Sequence, residues 1–277
     1  MRIFTKEELI YELAAIGSRG WIPSVRGRND GAVGNTLEDL LGIEENNLPI
    51  PNASDWELKA QRIGTTANIT LTHTEPSPRG LKFVPRLLLP GYGWAHQGAG
   101  GLYGEAEKSF RLSLSCDKRT DRGFNYQIDR QEEKIVVSFD SATIDYRHSA
   151  WRDSLIERGT LHELDPQPYW GFEDLYAKLR VKLHNCFLVE ADRRRVGGRE
   201  EFFYRRATKL TSFSFDKFLE VAKSGGVIID FDARSGHNHG TKFRVPALRI
   251  PELYEHSERV VDLKISDISP PPTQINF

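Results

Sequence analysis

Residues 55–59 read Asp55-Trp56-Glu57-Leu58-Lys59, and this alternation of charged and apolar side chains constrains the fold more than any other stretch. In a β-strand, side chains two apart share a face, so Asp55, Glu57 and Lys59 point one way while Trp56 and Leu58 point into a core. Two acids and an ammonium then converge on one small volume. Such a set can hold a hard divalent cation on its carboxylate oxygens and present a cationic donor to an attacking water or a phosphate oxygen. That is the chemistry of metal-dependent phosphodiester hydrolysis.

An acid two residues before a lysine is a weak signal in a chain with 28% charged residues, and it recurs at Glu132-Glu133-Lys134 and Asp262-Leu263-Lys264. Those two read as solvated strand or turn faces. Residues 55–59 differ in having an apolar opposite face, and the Pro51-Asn52 break delivers the chain into the strand.

The flanking pattern is that of a mixed α/β protein. Thr5 and Glu8 form a capping box, and Leu9, Ile10, Leu13 and Ile16 mark the stripe of a first helix ending near Gly17. The basic stretch Arg19–Gly34 places Arg26, Gly27, Arg28 and Asn29 either along a phosphate backbone or in a surface loop. Thr36 and Asp39 predict a second capping box. Leu37, Leu40 and Leu41 dock that helix, and Glu38 either leans over the next strand or serves as a first-turn dipole acid. Strands are predicted at 55–62, 67–73, 109–115, 124–130 and 134–139, with Pro76, Pro78, Pro85 and Pro90 confining the segment between the second and third to loops, and 91–104 a glycine-rich loop.

Farther on, Leu175, Leu179 and Leu183 predict a helix over 171–185, followed by a hairpin with strands near 186–192 and 201–207. Its arginines, Arg194 among them, alternate with acids, so the hairpin is either a salt-paired surface or a phosphate clamp. Ser214 caps a short helix ending at Gly225-Gly226, and 227–231 reads as a buried strand. After it, Arg234, His237, His239, Lys242 and Arg244 cluster around Gly236 and Gly240. Arginine forks match guanine O6 and N7, and glycines let the backbone approach a groove. Zinc is a weak alternative for His237 and His239, which have no third ligand nearby. The proline-rich tail, 269–277, is expected to be extended.

Two separated blocks carry a family resemblance. The first runs from Gly31-Ala32-Val33-Gly34-Asn35-Thr36-Leu37-Glu38-Asp39-Leu40-Leu41-Gly42 through Asn46-Asn47-Leu48-Pro49 and Trp56-Glu57-Leu58-Lys59 to Ile69-Thr70-Leu71; the second is His239-Gly240-Thr241-Lys242-Phe243-Arg244. Together they resemble the MvaI/BcnI restriction endonucleases, relatives of the mismatch-repair nickase MutH within the PD-(D/E)xK superfamily. The resemblance implies a restriction-endonuclease-like α/β fold, with a mixed central sheet flanked by helices and two lobes clamping DNA: a catalytic lobe over 1–165 and a recognition lobe over 166–277. It implies Mg²⁺ as cofactor, with Glu57, Asp55, Asn52 and Glu38 as metal and catalytic residues and Lys59 beside the phosphate. Arg234, His237, His239, Lys242, Arg244, His73 and Arg194 are the implied DNA contacts, His73 by rough position only. At the position of Asn52 the family usually carries an aspartate. Asparagine keeps a carbonyl oxygen for a hard cation but brings no charge, so Asp55 or Glu38 would have to compensate.

With 277 residues, 39% of them hydrophobic, the chain can build one large domain or two lobes. The net charge of −1 requires any nucleic-acid surface to be local. No apolar stretch suggests a signal peptide or membrane span, which predicts a cytoplasmic protein, and Cys116 and Cys186 read as buried thiols. The expected activity is that of a type II site-specific deoxyribonuclease, cutting double-stranded DNA at a short CC-N-GG-like site. By the resemblance it acts as a monomer that cuts the strands in turn, alongside a cognate DNA methyltransferase but with no stable protein partner. A repair-type nickase and a non-catalytic DNA-binding module of the same fold are the alternatives, the second favoured by Asn52.

Overall fold

The computed structural model describes residues 4–25, 31–43, 55–264 and 266. Asn52, the stretch Arg26 to Asn29, and the tail 269–277 lie outside the described residues. The helices are α1 (Lys6–Ser18), α2 (Ala32–Leu41), α3 (Ser149–Glu157), α4 (Phe172–Leu183) and α5 (Phe215–Lys223). The strands are β1 (Ile22–Pro23), β2 (Glu57–Arg62), β3 (Asn68–His73), β4 (Trp94–Ala95), β5 (Lys108–Leu114), β6 (Phe124–Asp129), β7 (Lys134–Phe139), β8 (Tyr169–Gly171), β9 (Asn185–Val196), β10 (Arg199–Phe213), β11 (Ile228–Arg234), β12 (His237–Asn238), β13 (Lys242–Pro246) and β14 (Tyr254–Asp262).

These elements fall into two compact units, Met1–Ala67 with Arg180–Ser214 and Ile250–Phe277, and Asn68–Leu179 with Phe215–Arg249. The units therefore do not follow a single cut at 165/166: each is assembled from separated stretches of chain.

In the first unit the sheet runs β1-β10-β9-β2, with β14 also on β10. Among its described residues only the pairing of β2 with β9 is parallel. Trp56, Leu58, Phe187, Val189, Phe202 and Tyr204 from the sheet pack against Leu9, Leu13 and Ile16 of α1 and Val33, Leu37 and Leu41 of α2. The expected capping box at Thr5 is present, with the Glu8 amide donating to Thr5 Oγ1 and the Thr5 amide to Glu8 Oε2. The second expected box is not. Helix α2 starts a turn earlier, after Gly31, and Thr36 is buried inside it. The apolar spacing explains the shift, because Val33 extends the Leu37–Leu41 stripe one turn toward the amino terminus and is buried with it.

The second unit holds a sheet ordered β3-β13-β11-β5-β4, with β12 on β11, and a three-stranded sheet β6-β7-β8. Its core is aromatic, including Phe83, Phe110, Phe124, Tyr126, Trp151, Phe231 and Phe243. The segment expected to be loop contains a wide-turn helix at Val84–Tyr92. Pro85 is tolerated in its first turn, where its missing N–H would have had no helical partner, and burial of Val84, Leu88, Leu89 and Tyr92 outweighs the cost of Pro90. Both cysteines are free, but only Cys186 is fully buried. No helix among the described residues is long and apolar enough to cross a membrane.

Candidate active site and recognition segment

Of the alternation read from residues 55–59, the part from Glu57 to Lys59 holds in β2. Leu58 joins the core beneath α1 and α2, while Glu57 and Lys59 share the opposite face. That face is covered too, so Glu57 has no exposed surface. The parallel register places Glu57 opposite Cys186 and Lys59 opposite Leu188.

Lys59 Nζ lies 2.5 Å from Glu57 Oε1, and Lys182 Nζ from the last turn of α4 lies 3.7 Å from the same oxygen. Both ammonium groups bear on Oε1, and among the described residues no hydrogen-bond donor meets Oε2. A buried carboxylate normally takes several hydrogen bonds, so this one keeps coordination capacity in reserve. Burial pushes the Lys59 ammonium toward losing its proton, but Glu57, through its charge and a hydrogen bond and with smaller help from Glu38, more than reverses this and holds its pKa above the usual value. Lys59 is therefore a cation at neutral pH. Cys186 is pushed up to about 12 by burial and then by the charge of Glu57, so it stays a neutral thiol.

The remaining predicted acids are placed less closely. Glu38, half-buried on α2, is near enough to act on Lys59 through its charge. Asp55 is exposed in the turn before β2 rather than in the strand. Among the described residues no three His, Cys, Asp or Glu side chains form a metal cage. Lys182 was missed from sequence. It lies more than a hundred residues beyond Glu57, and its helix offers only an ordinary basic last turn.

In the second unit, Arg234, Lys242 and Arg244 lie on β11 and β13. Arg244 Nη1 is 2.9 Å from Asp230 Oδ2 and its Nη2 donates to the Asn68 carbonyl at 2.8 Å, while its buried Nε has no hydrogen-bond partner among the described residues. Lys242 lies 3.8 Å and Arg111 2.9 Å from Asp232. Arg111, Asp230, Asp232, Lys242 and Arg244 line a groove of about 270 Å³ on this sheet. Sequence reasoning passed over Asp230 and Asp232, although their alternation with buried Phe231 and Ala233 was a usable signal.

Arg234 pairs with Glu107 at 3.1 Å and stacks over Tyr103. His237 and His239 are exposed with their rings 4.2 Å apart. His73 stands opposite Lys242 in the β3–β13 register. Arg194, in the first unit, is half-exposed, pairs with Glu201 at 2.6 Å and lies over the Trp21 ring. Its neighbours Arg193 and Arg195 both reach Glu200, so the hairpin is salt-paired as its interleaved acids suggested.

A mixed sheet backed by helices, one strand carrying a buried Glu-x-Lys, is the arrangement expected of the restriction-endonuclease fold. The solved structure described as "Restriction endonuclease MvaI-cognate DNA substrate complex" matches with a TM-score of 0.73 at 21% identity, over 93% of this chain and all of that one. The structure of MvaI in the absence of DNA matches with a TM-score of 0.50 at 18% identity, over 94% of this chain. A comparison with curated proteins yields no match. The profile of the MvaI/BcnI restriction endonuclease family matches residues 10–254, and the chain belongs to that family. It is accordingly a sequence-specific, DNA-cleaving type II enzyme. Enzymes of this family generally use a divalent metal, and the reserve capacity of the Glu57 carboxylate fits such an ion.

Proposed function

We propose that the chain hydrolyses double-stranded DNA with Mg²⁺ at a short CC-N-GG-like site, as a type II site-specific deoxyribonuclease working as a monomer that cuts one strand and then the other. The observation that carries this is Glu57, a buried carboxylate held 2.5 Å from a cationic lysine, its Oε2 meeting no hydrogen-bond donor among the described residues. Glu57 would hold the metal, with Glu38, Asp55 and Asn52 supplying further oxygen donors. Bound there, Mg²⁺ supplies Lewis-acid polarisation of the phosphate and a lowered pKa for an attacking water. Lys59 contributes its positive charge beside the phosphate, where negative charge grows during the reaction. Lys182, 3.7 Å from Glu57 Oε1, adds a second positive charge beside the buried carboxylate.

Recognition is assigned to Arg234, His237, His239, Lys242, Arg244 and His73, with Arg194 on the phosphate backbone. On this reading the catalytic role belongs to the unit that contains β2 and the reading role to the unit that contains β11 and β13. A cognate methyltransferase protects the host site, without a stable complex.

Incubating the protein with plasmid and Mg²⁺ and sequencing the ends gives both the site and the cut. Linear product with ends inside a CC-N-GG-like site is expected, and Glu57→Gln and Lys59→Ala should each lower the rate by about 10²-fold or more while binding persists. Near-wild-type cutting by either variant would move the active centre elsewhere. Accumulation of nicked product alone would favour a nickase, and absence of any cleavage with Mg²⁺ or Mn²⁺ a binding module.

A further inference from the structure

Glu75 follows β3 by two residues and has no place in the recognition set above, yet one carboxylate ties down the whole turn from Asn238 to Thr241. Its Oε1 accepts from the Thr241 amide at 2.9 Å and from Asn238 Nδ2 at 3.4 Å, while Oε2 accepts from Thr241 Oγ1 at 3.2 Å. Asn238 Oδ1 in turn accepts from the Gly240 amide at 3.0 Å. The turn so fixed holds His239 exposed at its outer edge, with Gly240 at φ +82° and Thr241 buried beneath.

The backbone beside Glu75 is tied into the core. The amide of the adjoining Thr74 donates to the Thr241 carbonyl at 3.0 Å. The Thr74 carbonyl accepts from Trp170 Nε1 at 3.0 Å and its hydroxyl from Lys178 Nζ at 2.9 Å. Thr74 and Trp170 are both buried, and the Trp170 ring packs edge-on against Phe243, three residues past Gly240. A loop that must present a side chain to a base edge has to hold its backbone within a fraction of an ångström, and supporting hydrogen bonds of this kind are what supply that.

We propose that Glu75 is a positioning residue for base recognition, its carboxylate fixing the Asn238–Thr241 turn that presents His239 to DNA. This rests on the reading of that turn as a DNA contact. Charge works against the alternative of a direct phosphate contact, because a carboxylate repels the backbone.

The test compares Glu75→Ala, Glu75→Gln, Asn238→Ala and His239→Ala. The measurements are affinity for the cleaved duplex against one-base variants, with Ca²⁺ replacing Mg²⁺, and melting temperature. Glu75→Ala should lose about tenfold or more of the discrimination, the worth of one good base contact, with little loss of non-specific affinity. Glu75→Gln keeps an acceptor for the Thr241 amide and a partner for its hydroxyl, so it should restore most of it. Asn238→Ala should show a smaller loss in the same direction, and it carries the test if Glu75→Ala does not fold. Wild-type discrimination in Glu75→Ala, or failure of Glu75→Gln to restore it, overturns the proposal. If His239→Ala discriminates as the wild type does, the turn reads no base and the proposal falls with that reading. If His239→Ala loses discrimination and Glu75→Ala keeps it, only the role of Glu75 falls.

Discussion

Arg244 illustrates how a single side chain can be held ready for the role proposed for it. Asp230 and the Asn68 carbonyl hold the two ends of its guanidinium, so little side-chain freedom remains to be lost on binding. A fixed fork suits the bidentate pairing that guanine offers. Arg244→Ala is therefore expected to cost specific binding roughly 1–3 kcal/mol while non-specific binding changes little. Arg194, paired with Glu201 on an exposed hairpin, should behave differently: Arg194→Ala weakens all duplexes alike and makes the salt dependence slightly shallower. Titrations of target and scrambled duplexes at two salt concentrations separate the two behaviours. Equal losses on both duplexes for Arg244→Ala would assign that residue to phosphate.

Among the elements, α1 approaches β10 so closely that one position has no room for a side chain. A Cβ on Gly17 would stand 2.6 Å from the Tyr204 carbonyl oxygen, a backbone atom that cannot swing aside. Gly17→Ala should destabilise by about 1–3 kcal/mol in denaturant titrations, through a forced shift of the helix. Gly34, inside α2, meets nothing within 4 Å, and Gly34→Ala should stabilise by about 0.5–1 kcal/mol through helix propensity. The same sign for both variants would refute the steric account.

The second unit offers a pH handle. Tyr126 is fully buried on β6, its hydroxyl donating to the Ala222 and Val227 carbonyls at 3.1 and 2.8 Å. Burial holds its pKa well above the usual phenol value of 10.0. The folded protein keeps this proton while the unfolded chain releases it near pH 10, so its contribution is complete below that pH and is lost as pH rises further. Tyr126→Phe should lower stability at pH 7 yet flatten the alkaline fall by about 1.4 kcal/mol per pH unit, the slope for one proton. Denaturation series from pH 8 to about 11 would show it. An unchanged alkaline slope would mean that Tyr126 ionises freely.

For the molecule as a whole, chain order and compact units are out of step. Among the described residues the only strand partner of β2 is β9, beyond residue 180, and α1 rests on β10 and β14. A fragment of residues 1–165 thus carries the Glu57 strand without the sheet that supports it. Expressed alone it should lack cooperative unfolding and a dispersed amide spectrum, because its apolar faces have nothing to close on. A fragment that folds and unfolds cooperatively would show that β2 and α1 find stability elsewhere.

Local patterns were legible wherever neighbours in sequence remain neighbours in space. The Thr5 cap, the alternation of Glu57 and Lys59 against Leu58, the helix through Leu175, Leu179 and Leu183, and the long arginine hairpin follow from periodicity and turn chemistry, and two short blocks sufficed for the family. Three features were decided by tertiary structure alone. Burial of Thr36 and Val33 moved the start of α2, and a buried apolar stripe carried a helix across Pro85 and Pro90. The return of β9 beside β2 brought Lys182 and Cys186 to Glu57. Charges that meet only through such long-range pairing leave no periodic trace in the chain, since periodicity records the face a residue occupies and not the distant segment that comes to cover it.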